Sequence, residues 1–187
     1  MSAVATGASG TVAPPGRDRD WVHAAIGRLA EEADAASDTP LRRLPLPASD
    51  GMDVFLKDES AHATGSLKHR LARSLFLYAL CNGRLQRGQG VIDASSGSTA
   101  ISEAWFARLL GIGFTAVMPA ATAPGKVRAV QALGGRCELV PDAADCTAAA
   151  LALARREGYC FLDQFGLAER ATDWRGNNNI AESIIAQ

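Results

Sequence analysis

Between about residue 53 and residue 162 the apolar positions fall in short blocks separated by polar or glycine-containing breaks, and the blocks alternate in kind. Asp53–Lys57, Gly90–Ala94, Phe114–Met118, Arg136–Val140 and Tyr159–Leu162 have the length and character of strands. The intervening segments repeat at helical spacing. Leu67, Leu71, Leu75 and Ala79 share one face of a helix that Ser66 can cap and that stops at Asn82-Gly83. Ile101, Ala104, Trp105, Leu109 and Ile112 do the same further on, and Pro124–Leu133 and Asp145–Glu157 complete the set. Strand and helix in strict alternation predict a parallel sheet covered on both faces, with right-handed crossovers. Upstream, Asp18 or Asp20 can cap a helix running to about Ala36 with Trp21, Ile26 and Leu29 as its apolar contacts, and the prolines after it make Leu41–Asp50 an extended connection. Met1–Gly16 reads as a flexible tail, and Asp163–Gln187 is polar and weakly helical from Ile180. No internal repeat is visible.

A chain of 187 residues with 48% hydrophobic and 21% charged residues can bury a core of its own. Its net charge of -1 argues against a nucleic-acid or anionic-membrane partner, since both require a positive surplus. No apolar run reaches the roughly 20 residues of a membrane span. Cys81, Cys137, Cys146 and Cys160 form no CxxC pair and no metal-ligand spacing, so they read as small apolar residues in a reducing compartment. A cytoplasmic location is expected.

Two segments carry chemistry. Thr64-Gly65-Ser66-Leu67-Lys68-His69-Arg70 places a lysine in the first turn of a helix, where the positive end of the helix dipole disfavours the charged amine. A neutral lysine condenses with an aldehyde, whereas a solvated surface lysine with Ser66 as an ordinary cap would need no ligand. Ser95-Ser96-Gly97-Ser98-Thr99 lies between a strand and a helix, where a doubly wound sheet binds ligands, and its hydroxyls and free N–H groups suit a carboxylate or phosphate. A serine-rich helix cap is the plainer alternative. Neither a GxxxxGK[ST] loop nor a GxGxxG fingerprint is present. Gly111-Ile112-Gly113 and Gly134-Gly135 read as helix ends, His62 and His69 as structural or surface residues, and Trp174–Asn179 as a solvated loop or as a segment over the site or at a subunit contact.

Together these segments resemble the cysteine synthase and cystathionine β-synthase family, pyridoxal-phosphate (PLP) enzymes of fold type II. The family carries a Ser-x-Lys-x-Arg lysine followed by a [Thr/Ser]-Ser-Gly-Asn-Thr-Gly loop. Ser66-Leu67-Lys68-His69-Arg70 and Ser95-Ser96-Gly97-Ser98-Thr99-Ala100 occur in that order, preceded by Phe55-Leu56-Lys57-Asp58-Glu59 and followed by Asp163-Gln164-Phe165. Gly65–Arg73, Ser95–Ala100 and Thr172–Asn179 are most similar to the bacterial L-cysteine desulfhydrase branch.

The resemblance implies that Lys68 carries PLP covalently and that Ser95, Ser96, Gly97 and Thr99, helped by Gln164, hold the amino-acid carboxylate. Ser98 stands where most of the family has an asparagine against the cofactor's phenolic oxygen. It further implies an α/β fold with a three-layer parallel sheet, the small domain complete and the large domain truncated. The corresponding division is a tail over 1–17, a large-domain helix and extended segment over 18–52, the small domain with Lys68 and the Ser95–Thr99 loop over 53–165, and the start of the large domain over 166–187. The family's glycine-rich phosphate loop would lie beyond Gln187. The implied activity is β-elimination on L-cysteine, giving sulfide, pyruvate and ammonia, in a homodimer. Cysteine synthase-type β-replacement on an O-substituted serine shares the early steps. A non-catalytic remnant or interaction module, or a generic nucleotide-binding half-domain, are the readings from other classes.

Overall fold

The computed structural model describes residues 15–36, 38–45, 51–172 and 179–187, with side chains described from residue 18. Its elements in chain order are α1 (Pro15–Ala35), β1 (Leu41–Leu44), β2 (Val54–Lys57), α2 (Lys68–Cys81), β3 (Val91–Ala94), α3 (Ser98–Leu110), β4 (Phe114–Pro119), α4 (Pro124–Ala132), β5 (Arg136–Val140), α5 (Cys146–Glu157), β6 (Cys160–Phe161), α6 (Gln164–Ala171) and α7 (Ile180–Ile185). β3 to β6 form one parallel sheet in the order β5-β4-β3-β6, with Val91 opposite Phe114 on one side of β3 and Cys160 on the other. The expected alternation and parallel sheet are therefore present.

β3 sits at the centre of the sheet and is buried along its whole length, and β4 beside it nearly so, whereas the edge strand β5 is largely exposed. Side chains alternate between the two faces of a strand. Val91, Phe114, Ala116 and Met118 pack with Leu29 of α1, Phe76 and Leu80 of α2, Phe106 of α3 and Val130 of α4. Ile92, Ala94 and Val117 pack on the opposite face against Ala150, Leu153 and Ala154 of α5. The result is three layers. Burying a phenylalanine as completely as Phe76 or Phe106 contributes about 1.5–3 kcal/mol. Local chemistry sets the helix ends: Pro124 begins α4, where its missing N–H costs nothing, and Gly111 and Gly158 close α3 and α5 with φ of 70° and 66°.

Several expectations need correcting. Leu41–Leu44 is not a bare connection but a strand paired antiparallel with β2, Leu41 opposite Lys57 and Leu44 opposite Val54. The extended backbone that proline imposes is also strand geometry, and β2 supplies a partner. α1 begins at Pro15, upstream of Asp18. α2 begins at Lys68 with Leu67 in the capping position; Ser66 Oγ still accepts the Lys68 N–H at 3.2 Å. Of the expected face of α2, Leu75 and Ala79 are buried, whereas Leu71 is only partly so and Leu67 is half exposed; His69, Ala72, Arg73, Phe76 and Leu80 are buried as well. In α3 both Ala104 and the unforeseen Phe106 and Ala107 are core, while Ile101, Trp105 and Leu109 pack at its border. α6 had no apolar signature and was not expected; Asp163 starts it in a left-handed conformation (φ 59°), accepting the Gly166 N–H at 3.1 Å.

Candidate functional site

The Ser95–Thr99 turn leaves the C-terminal end of the central strand and enters α3, with Gly97 in the capping position. Ser95 Oγ accepts the Ala100 N–H at 3.2 Å, so one hydroxyl of the turn is used to hold the first turn of the helix. Ser96 and Gly97 are half-buried, Ser98 is exposed and Thr99 is buried. Ser95 and Ser96 border a cleft of about 160 Å³ whose other walls include Val117, Pro119, Cys146, Thr147 and Phe165. This is the strand-end position at which open parallel sheets bind ligands.

Gln164 joins this turn. Its backbone N–H donates to Asp93 Oδ2 at 3.1 Å and its side-chain Nε2 donates to the carbonyl of Ala94, the residue before Ser95, at 2.7 Å. One N–H of the side-chain amide is thereby engaged by the backbone, which leaves the second N–H and the amide oxygen for a ligand. Phe165, next in sequence, is 75% exposed at the mouth of the cleft.

Lys68 is half-buried at the first position of α2, directly after a turn that Gly65 makes possible with φ 68°. No hydrogen bond or ion pair occupies its Nζ among the described residues. Its segment and the hydroxyl turn are tied together indirectly. Thr64 Oγ1 lies 3.1 Å from His69 Nδ1 and 2.9 Å from Ser102 Oγ, linking the loop before Lys68 to α3 one turn beyond Thr99. His69 is fully buried, pairs through Nε2 with Glu32 at 2.9 Å, and packs against His62, Trp105 and Phe106. Arg73 bonds the other oxygen of Glu32 at 2.7 Å. His69 therefore belongs to the framework that fixes the lysine turn, in keeping with its expected structural role.

Below this lies a second polar network. Arg70 Nε and Nη2 donate to the two oxygens of Glu59 at 2.8 and 2.9 Å, Thr39 Oγ1 donates to Glu59 at 2.6 Å, and Arg70 also reaches Asp38 at 3.1 Å. Ser183 of α7 donates to Asp38 at 2.6 Å, and Lys57 Nζ donates to the carbonyls of Thr39 at 2.6 Å and Ser183 at 3.2 Å. The network draws β2, α2 and α7 together around charges that burial would otherwise make costly. Burial opposes ionisation of Glu59, but the hydrogen bonds from Arg70 and Thr39 outweigh it and hold the carboxyl down at about 2. Glu59 and Arg70 stood in the quoted motifs without a role of their own. A charged residue at the start of an otherwise apolar helix was the signal available.

The sequence also hides a pair of acids. Asp93 in β3 and Glu103 in α3 are both fully buried. Burial raises both, Asp93 to about 6 and Glu103 well above the carboxylate range, and the charge of Asp93 adds to the effect on Glu103. An acidic residue inside Val91-Ile92-Asp93-Ala94 was the clue. Residues 173–178, with most of the Trp174–Asn179 segment, lie outside the described residues.

These features can be set beside known proteins. Residues 33–187 match the model of the pyridoxal-phosphate dependent enzyme family, which is most of the chain.

The chain belongs to that family.

It is 56% identical over 173 residues to L-cysteine desulfhydrase Cds1 of Mycobacterium tuberculosis, a match covering 90% of this chain and 47% of that protein. Cysteine synthase B of Escherichia coli is 34% identical over 131 residues, covering 68% and 43%. Among solved structures, that of O-ureido-L-serine synthase superposes with a TM-score of 0.72 at 29% identity, over 83% of this chain and 49% of that one. A hydrogen sulfide-producing enzyme of Fusobacterium nucleatum shares the fold, with a TM-score of 0.72 at 21% identity over 96% and 54%. The chain thus spans about half the length of the curated relatives it matches. The fold-type-II architecture is shared over that half. No helix among the described residues is long and apolar enough to cross a membrane.

Proposed function

We propose that this chain forms the lysine-bearing half of a PLP-dependent lyase that eliminates sulfide from L-cysteine. The observation that carries the reading is the pairing of an unengaged Lys68 amine at the head of α2 with a hydroxyl-rich turn at the head of α3, the two segments braced by Thr64. An amine with no acid partner is available to condense with an aldehyde, so the residues present fit the reactive end of the cofactor. When bound, PLP supplies an electron sink for a carbanion at the substrate's α-carbon.

The roles of the chain's own residues follow from their positions. Ser95, Ser96, Gly97 and Thr99 present hydroxyl and N–H groups at a helix N-terminus and hold the substrate carboxylate, with the second Gln164 side-chain N–H beside them. Ser98, exposed on the first turn of α3, would face the cofactor ring. Lys68 would hold the cofactor through its amine and, once that amine is free, would take the proton from the substrate's α-carbon. Sulfide then leaves the β-carbon, and addition of water to the remaining three-carbon unit accounts for pyruvate and ammonia. The desulfhydrase relative supports elimination; the cysteine synthase relatives support β-replacement on an O-substituted serine as the second reading. A homodimer and a cytoplasmic location belong to the same proposal. Half-exposed Phe55 and Leu56 offer apolar surface to an assembly, and all four cysteines are free thiols.

The test is to add PLP to the purified chain, reduce with borohydride and map the adduct by mass spectrometry. A Lys68 adduct that disappears in Lys68→Ala supports the reading, as does sulfide release from cysteine that the same substitution abolishes in a longer form of the protein. Labelling spread over surface lysines, with Lys68 unmodified, rejects it.

A further inference from the structure

Asp93 and Glu103 lie directly beneath the turn assigned to the substrate carboxylate, and neither touches solvent. Asp93 has a defined task. Its Oδ1 accepts the Ala94 N–H at 2.8 Å and its Oδ2 accepts the Gln164 N–H at 3.1 Å, so one carboxyl holds both segments of the proposed cradle. Gln164 then closes the loop by donating to the Ala94 carbonyl. Glu103, one helical turn past Thr99, meets no N–H or O–H donor among the described residues, and its carboxyl faces that of Asp93. Two carboxylates in contact inside a core repel; one carboxylate and one carboxylic acid make a short, strong hydrogen bond. A fully buried acid without a donor has no other route to satisfaction.

We propose that Glu103 is kept as a neutral carboxylic acid whose proton is donated to Asp93, and that through Asp93 it acts as a positioning residue for the Ser95–Thr99 turn and Gln164. The role as a cradle rests on the function proposed above; the shared proton does not. Ser95 contributes the same kind of constraint from the other side by holding the Ala100 N–H. Among the described residues, Asp93 is the charged group that acts on Glu103. Asp93 also feels Asp163 at the head of α6, and the Cys160 thiol on β6 lies close enough to feel both Asp93 and Arg84. A further negative charge from Asp163 strengthens the case for keeping one proton in the pair.

The experiment uses the 187-residue chain without cofactor and two variants, Glu103→Gln and Glu103→Leu. Infrared difference spectra at neutral pH should show a protonated-carboxyl stretch that Glu103→Gln removes. Amide hydrogen exchange should then be read at Ala94 and Gln164 relative to amides on other elements, such as Ala25 in α1 and Leu139 in β5. In the native chain their protection should fall as pH rises above neutrality and Glu103 loses its proton. In Glu103→Gln, which keeps a neutral donor and cannot ionise, protection should stay level with pH. In Glu103→Leu both amides should exchange roughly tenfold faster than in the native chain at neutral pH, the remote amides serving as the folding control. Absence of a Glu103-dependent carboxyl stretch overturns the proposal. So does a pH response shared by the native chain and Glu103→Gln, or unchanged protection in Glu103→Leu. None of these readouts depends on Lys68, so loss of this inference would leave the borohydride result standing, and the reverse.

Discussion

Replacing Glu59 by Gln removes one charge from the network that joins β2, α2 and α7 while nearly preserving shape. Glu59 is 8% exposed, receives two bonds from Arg70 and one from Thr39, and has its carboxyl lowered from 4.5 to about 2. Lowering that carboxyl from 4.5 to about 2 corresponds to roughly 3 kcal/mol of stability, at about 1.4 kcal/mol for each tenfold change in proton affinity. That agrees with the roughly 3–5 kcal/mol lost when one partner of a buried pair is removed, because among the described residues Arg70 is left with Asp38 at 3.1 Å as its charged partner, beside the neutral hydroxyls of Thr39 at 2.9 Å and Ser183 at 3.3 Å. The sign fixes the pH window. A lowered carboxyl contributes fully above its unfolded value of 4.5 and loses that contribution as pH falls toward about 2. Urea denaturation followed by circular dichroism should therefore place Glu59→Gln about 3 kcal/mol below the native chain at pH 7, with the gap closing between about pH 5 and pH 2. A gap under about 1 kcal/mol at pH 7, or one that does not change over that window, would refute the idea that the Glu59–Arg70 pair holds these elements together.

Other consequences are equally open to measurement. Thr64→Val strips the partner from buried His69 Nδ1 and from Ser102, and should cost about 1–3 kcal/mol in denaturation while slowing formation of the Lys68 adduct. A methyl group on Gly135 would come within 2.7 Å of Val130 Cγ1 and 3.1 Å of Phe114, so Gly135→Ala should destabilise by about 1–3 kcal/mol, read as a lower unfolding midpoint. Asp93 and Glu103 hold protons more tightly folded than unfolded, so their contribution to stability is full below about pH 4 and declines as pH rises, through about 6 for Asp93 and further up for Glu103; Glu103→Gln should remove the part of the decline that lies above that of Asp93 in the same denaturation series. Exposed Cys81 should react first with a thiol reagent under native conditions, whereas Cys160, buried and raised to about 11, should wait for urea.

Local pattern made the parallel sheet and its helices legible because a strand buried on both faces is written as a short apolar run, and a covering helix as a 3.6-residue repeat. Val91–Ala94 and Phe114–Pro119 are such runs, and Pro124, Gly111 and Gly158 mark helix ends through backbone chemistry that needs no neighbour. The lysine segment and hydroxyl turn were equally local, since each is contiguous in sequence. What the pattern could not contain was partnership across distance. Nothing near Leu41 announces that its strand will pair with Val54–Lys57, and nothing near Arg70 announces Glu59, Asp38 and Ser183 as its companions. α6 escaped notice because Asp163 and its neighbours secure it by a side-chain bond and contact with β3 rather than by an apolar stripe. Asp93 and Glu103 show the division most clearly. Their spacing is visible in the chain, but only packing α3 onto the central strand excludes water from both, and it is that exclusion which turns two ordinary acids into a proton-sharing pair.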